Sequence, residues 1–164
     1  MVESVLHFFQ EFIQDPKWIT FLLAMTPIGE LRVALPWGIT YGELPWMEAY
    51  FWAVLGNFLI SVPIVLLLGP SSRFLMKWPI GEKFFNWLFT RTRHKGKLIE
   101  TWEFLGLVIF VGIPLPVTGA WTGAAAAFLF GLSYRKSFAA IFIGLLMSAT
   151  IVTIITTTGV KIFG

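Results

Sequence analysis

Glu30 and Arg32 stand two positions apart in TPIGELRVALPWG, residues 26–38, surrounded by Leu22, Leu23, Met25, Ile28, Val33, Leu35 and Trp37, with Pro27 and Pro36 on either side. A charge inside so apolar a segment is costly, about 2.5–3.5 kcal/mol for a central arginine on insertion scales, and is functional by default. Two chemistries are open to the pair. In the first, each charge neutralises the other or caps loose backbone, and the motif is a structural pin. Residues two apart point to different sides of a regular helix, so that pairing requires a broken backbone. In the second, Arg32 holds the segment together or meets an anionic head group. Glu30 is then left to bind and release a proton, because a low dielectric disfavours its charged form. A carboxylate that does so can couple proton flow to the movement of a substrate.

The elements that position this pair are membrane elements. The 164 residues are 57% hydrophobic and 17% aromatic, and 13% are charged, against about 25% in a soluble domain. Mean hydropathy is +0.79. The length leaves room for about four bilayer-length segments and no separate soluble domain. The net charge of +3 is unevenly spread. Arg73, Lys77, Lys83, Arg91, Arg93, Lys95 and Lys97 face only Glu82 between residues 71 and 97. That cluster reads as a cytoplasmic loop placed by the positive-inside rule, with no nucleic-acid partner. The absence of cysteine excludes disulfides, iron–sulfur clusters and thiol nucleophiles. With acids in place of a basic leader, residues 1–15 read as a short interfacial helix rather than a signal peptide.

Four apolar stretches follow, at 18–41, 46–70, 104–132 and 137–160. The second and fourth read as full crossings, the fourth having no charge at all. The first and third are interrupted, by Pro27 and Pro36 and by GIPLPVTGAWTG, which holds Pro114, Pro116, Gly119 and Gly123. Proline removes a backbone donor and clashes with the preceding turn. Broken backbone is tolerated at membrane depth only where protein or a wet cavity shields it. The expectation is an all-α membrane protein, a single domain of residues 1–164 built from two inverted repeats. The first, 18–70, joins a re-entrant hairpin at 18–44 to a crossing helix at 46–70. The second, 98–160, joins a hairpin at 104–132 to a helix at 137–160. A basic amphipathic connector at 71–97 lies between them on the membrane surface.

Matched residues support the repeat: Pro27 with Pro114 and Ser61 with Ser148 at an offset of 87, Gly56 with Gly144 at 88, and Gly42 with Gly131 at 89. Charge supports it independently. If all four stretches crossed, the 71–97 connector and the Arg135–Lys136 loop would fall on opposite faces. If the first and third dip in and return, both basic loops share the cytoplasmic face. Glu3, Glu11, Asp15, Glu43 and Glu48 then lie outside together with both termini.

Inverted repeats with broken helices meeting near the midplane are a transporter architecture. Asn57, with Ser61 one turn on, and Thr150, Thr153 and Thr157 on one face of the fourth stretch are candidates to line a path. Such hydroxyls also bond back to their own helix or join helices. Gly38 with Gly42, and Gly119 with Gly123, mark close packing. An enzyme is disfavoured: Asp15 is the only aspartate, and His7 and His94 fall in interfacial segments.

TPIGELRVALPWGITYG followed by GIPLPVTGAWTGAAAAFLFGL resembles the small multidrug export protein family, and beyond it the DedA membrane-protein superfamily. The resemblance runs over about residues 18–158 and rests on Pro27, Gly29, Glu30, Arg32 and Pro36, then on Pro114, Pro116, Thr118, Gly119, Trp121, Thr122 and Gly123. It implies a transporter in a bacterial or archaeal inner membrane, with two re-entrant hairpins and a role with lipid-linked phosphates or in envelope homeostasis. Glu30 matches the acidic residue that closes the first hairpin motif of DedA proteins. Those proteins carry arginines three residues before and after the second hairpin's proline, where this chain has Val111 and Val117. A two-pronged arginine fork for phosphate is therefore not carried over.

The resulting expectation is a small, proton-linked exporter of an amphipathic or lipid-linked molecule, without cofactor or metal. Its site, between the hairpins, would use Glu30, Arg32, Pro27, Pro36, Pro114, Pro116, Thr118, Gly119, Trp121, Thr122 and Asn57. A hydrophobic cation would use Glu30 and the aromatic residues; an anionic amphiphile would use Arg32. The alternative is a membrane scaffold, which needs no cavity. Two crossings and two hairpins cover their broken backbone poorly alone, so membrane lipids and a second copy are the expected partners.

Overall fold

A computed structural model describes residues 13–75, 97–115 and 118–163, and among them every regular element is a helix. In chain order these are α1 (Pro16–Met25), α2 (Glu30–Thr40), α3 (Trp46–Leu75), α4 (Lys97–Gly112), α5 (Ala120–Leu129) and α6 (Tyr134–Phe163). Most of the expected interfacial helix at 1–15 and of the basic connector lies outside the described residues. Where the chain is described, Pro16 opens α1. Asp15 caps it by accepting from the Lys17 amide at 2.9 Å, and proline suits the first helical position because its missing donor is not needed there. α3 also runs five residues past Pro70, into the expected connector.

The first interrupted stretch breaks once, at 26–29. Thr26 is extended (φ −74°, ψ 144°), the conformation favoured before a proline. Its amide and its hydroxyl both donate to the Leu23 carbonyl, at 3.1 and 2.8 Å. Pro36, expected as a second breaker, sits inside α2 without ending it. One lost backbone donor is tolerated when neighbouring helices shield the gap.

α1 and α2 fold back on each other. A Cβ added to Gly42 would meet Pro16 Cβ at 3.1 Å, and one added to Gly38 would meet Thr20 Oγ1 at 2.8 Å. The start of α1 therefore lies against the end of α2, and the two glycines allow that approach. α1 also runs alongside α3 in the same direction: Lys17 pairs with Glu48 at 2.8 Å, and the Phe21 and Trp52 rings meet edge to face at 6.2 Å. The second half is built alike. α4 lies along α6, with Gly112 against Met147 and Val108 against Gly144.

The two long helices are antiparallel. Tyr50 Oη donates to the Leu146 carbonyl at 3.0 Å near one end, and Phe58 stacks edge to face on Phe142 at 5.1 Å further along. α2 packs on α6 and α5 on α3, so each half leans its second short helix on the long helix of the other. Each principal packing pair has its counterpart when the halves are exchanged. The correspondence reaches single atoms. Gly56 takes the Phe21 carbonyl into the space of its missing side chain, and Gly144 takes the Val108 carbonyl in the same way.

Alanines share the buried contacts with large side chains, among them Leu23, Leu31, Leu35, Leu107, Ile141 and Leu145. On α5 the buried stripe is Ala120, Gly123, Ala124 and Ala127, one face of a 3.6-residue repeat. Between helices in lipid, close approach of small residues supplies the van der Waals contact that a hydrophobic driving force cannot. Other large apolar side chains point outward: Phe51, Leu59, Leu67, Ile143, Ile154 and Ile155 are all exposed. Residues 46–68 and 134–159 are long and apolar enough to cross a bilayer, and only 33% and 44% of their most apolar windows are buried. The core helix of a soluble protein would be mostly covered, so the outward faces belong against lipid.

Candidate functional site

The break between α1 and α2 meets the break between α4 and α5, and Glu30 is the point of contact. It opens α2 with a positive φ of 46°, a conformation uncommon in any residue with a side chain. The Glu30 amide donates to the Thr26 carbonyl at 3.1 Å, and the Gly29 amide to Thr26 Oγ1 at 3.1 Å. One threonine thus secures the turn on both sides of the break. The carboxylate is 3% exposed. Oε2 accepts from Arg32 Nη2 at 3.2 Å, and Oε1 accepts from the Trp121 backbone amide at 3.4 Å. The i, i+2 pairing that a regular helix would forbid is made here, where the backbone departs from helical geometry.

Trp121 lies in the first turn of α5, whose N-cap, Gly119, has no side chain with which to cap it. Glu30 supplies the missing cap from the other half of the chain, a carboxylate at the positive end of a helix. The contact is reciprocated: Trp121 Nε1 donates to the Met25 carbonyl at 3.1 Å, at the end of α1. Each short-helix pair thereby completes a helix end of the other. Gly119 is required by proximity, since any Cβ there would collide with the Glu30 carboxylate.

The second break is tied by Thr118. Its hydroxyl donates towards the Ile113 and Leu115 carbonyls, at 2.7 and 2.8 Å, and accepts from the Leu115 amide at 3.1 Å. Beside these breaks lies a cavity of about 540 Å³, lined by Pro27, Ile28, Gly29, Glu30, Arg32, Val33, Pro114, Trp121 and Thr122. Residues 81 or more positions apart in the chain therefore share one wall. The lining is mostly apolar, with one carboxylate, one guanidinium and one hydroxyl.

Of the residues singled out in the sequence, Glu30, Arg32, Pro27, Pro114, Trp121 and Thr122 line this cavity. Gly119 packs on Glu30 behind it, and Thr118 closes the second break. Pro36 lies within α2, and Asn57 on α3; neither lines the cavity. Pro116 lies outside the described residues. Asn57 is 1% exposed, and its Oδ1 accepts no hydrogen bond among the described residues.

Thr150, Thr153 and Thr157 line a separate groove of about 560 Å³ between α3 and α6, with Trp46, Tyr50 and Ile154. Each of the three hydroxyls donates to the carbonyl one turn back, at 2.7–2.8 Å. Ile28, Gly29 and Val33 were not foreseen in the wall; Gly29 stood only in the family motif, and the signal of Ile28 and Val33 was their place beside Glu30 and Arg32. The bond from the Trp121 indole to Met25 spans 96 positions and left no trace in the local sequence.

The family model described as "Putative small multi-drug export protein" matches residues 30–151, well over half of the chain. No curated protein and no solved structure matches it. The chain belongs to that family, and the match runs from Glu30 through α3 and into α6, ending at Ile151.

Proposed function

We propose that this export-family member is a small proton-linked transporter that moves an amphipathic molecule through the cavity between its hairpin tips. The observation that carries the proposal is a charged pair held in a cavity where the two tips touch, midway along the long helices. α1 has ten residues and α2 eleven, so each is about 15–17 Å long, half the hydrocarbon thickness of a bilayer. Lys17 lies beside Glu48 at the start of α3 and Phe21 beside Gly56. Met25 then falls alongside roughly residue 60, near the middle of the 46–68 span, at 1.5 Å per residue.

With α3 and α6 antiparallel and each hairpin parallel to its own long helix, the hairpins enter from opposite faces and return. This is the inverted-repeat reading. It puts the Arg135–Lys136 loop on the same face as the basic residues between 71 and 97, the cytoplasmic face. Glu30 is the proton carrier and Arg32 its partner. When Glu30 takes up a proton, its charge-assisted bonds to Arg32 and α5 weaken, and the tips can part. A second copy of the chain covers the outward faces of the hairpins.

The test is reconstitution in liposomes under an imposed pH gradient, comparing the wild type with Glu30→Gln and Arg32→Ala. The proposal expects wild-type proton flux to exceed that of empty liposomes, and both variants to fall to that baseline. Flux unchanged in both would leave the pair a structural pin.

A further inference from the structure

Resting on the transport reading, the cavity's charge balance identifies the class of molecule it takes. We infer that the cavity binds an anionic amphiphile, with Arg32 holding the anionic group and the apolar wall holding the tail. The charged acceptor of the site is already engaged. Glu30 is 3% exposed, one of its oxygens is held by Arg32 and the other by the Trp121 amide, and its carboxylate lies on Gly119. Two of the nearby carbonyls that end first helices are engaged as well. Leu23 accepts from Thr26 and Met25 from the Trp121 indole.

The charged donor is not engaged to the same degree. The Arg32 side chain is 21% exposed, against 3% for its partner. Nη2 alone donates to Glu30; among the described residues no other acceptor meets the guanidinium, which carries five N–H groups. Its remaining donors suit the two oxygens of a carboxylate or phosphate. A lipophilic cation would have to reach Glu30 past that guanidinium and break two bonds to replace them. The rest of the wall, Pro27, Ile28, Val33, Pro114 and Trp121, offers apolar surface for an alkyl or aryl tail. A small inorganic anion would leave that surface unused.

Calorimetric titration of the protein in zwitterionic nanodiscs, corrected with empty nanodiscs, tests this with three probes: decyl phosphate, inorganic phosphate and decyltrimethylammonium. The inference expects saturable decyl phosphate binding that weakens by about tenfold or more in Arg32→Gln. It also expects the binding to be lost in Ile28→Trp, which fills the cavity and leaves the ion pair intact, so loss there cannot be blamed on a broken pair. Inorganic phosphate binding as tightly as decyl phosphate overturns the amphiphile assignment. Saturable decyltrimethylammonium binding that Glu30→Gln removes, or decyl phosphate binding indifferent to both cavity variants, overturns the anion assignment. The two readings fail separately. Binding through Arg32 without flux in liposomes would sink transport alone, and flux without any decyl phosphate binding would sink this inference alone.

Discussion

Glu30 carries strain that something else must offset. A non-glycine residue at φ 46° costs on the order of 1–3 kcal/mol. What is gained is a carboxylate aimed across the molecule, onto the first turn of α5. Gly119→Ala forces that carboxylate away, and the expected result is a loss of about 1–3 kcal/mol, read as a lower midpoint of thermal unfolding in detergent. Trp121→Phe keeps the ring and removes the indole donor to Met25, with an expected loss of about 1 kcal/mol in the same assay. Asn57→Leu should act in the opposite direction. A buried amide oxygen without a partner is a liability, and an apolar isostere removes it, so the midpoint should hold or rise. A sharp fall would mean that Asn57 has a bonding role the structure does not record. Glu30 and Arg32 were legible in the sequence because charge is costly in an apolar setting. The helix end that Glu30 caps was not, because the partners are 91 residues apart and no local pattern encodes the approach.

The short helices depend on backbone proximity as well as on side-chain bulk. Gly56 and Gly144 occupy equivalent places on α3 and α6, each with a carbonyl of the neighbouring helix in the space of the missing side chain. Gly56→Leu and Gly144→Leu should each separate a long helix from the first helix of its own hairpin. The expected cost is about 1–3 kcal/mol apiece, and similar shifts in both would reflect the shared geometry. Gly159→Leu is the control, because nothing among the described residues lies within 4 Å of the Cβ it would add. The offset of 88 between these glycines was visible in the sequence, and so were the breaks near Pro27 and Pro114. Pro36 was misjudged for a physical reason. Proline deletes a single donor, and a helix already shielded from water by its neighbours can survive that loss. Pro27 does end a helix, because Thr26 before it turns extended and satisfies Leu23 twice over.

At the scale of the whole molecule, the account depends on how many times the chain crosses. Composition and the two uninterrupted apolar stretches made the membrane class and the long helices plain, since a bilayer demands length and apolarity that no short-range pattern can mimic. How the two halves touch was out of reach, because it rests on the packing of small residues that look alike everywhere in such a chain. The native sequence has no cysteine, so single thiols at Glu43, His94 and Arg135 can be probed with a membrane-impermeant reagent applied to one face of sealed vesicles at a time. With two crossings and two hairpins entering from opposite faces, positions 94 and 135 label from the same side and position 43 from the other. Labelling of 94 and 135 from opposite sides would mean four crossings, and the opposed tips that enclose Glu30 and Arg32 could not then exist as described.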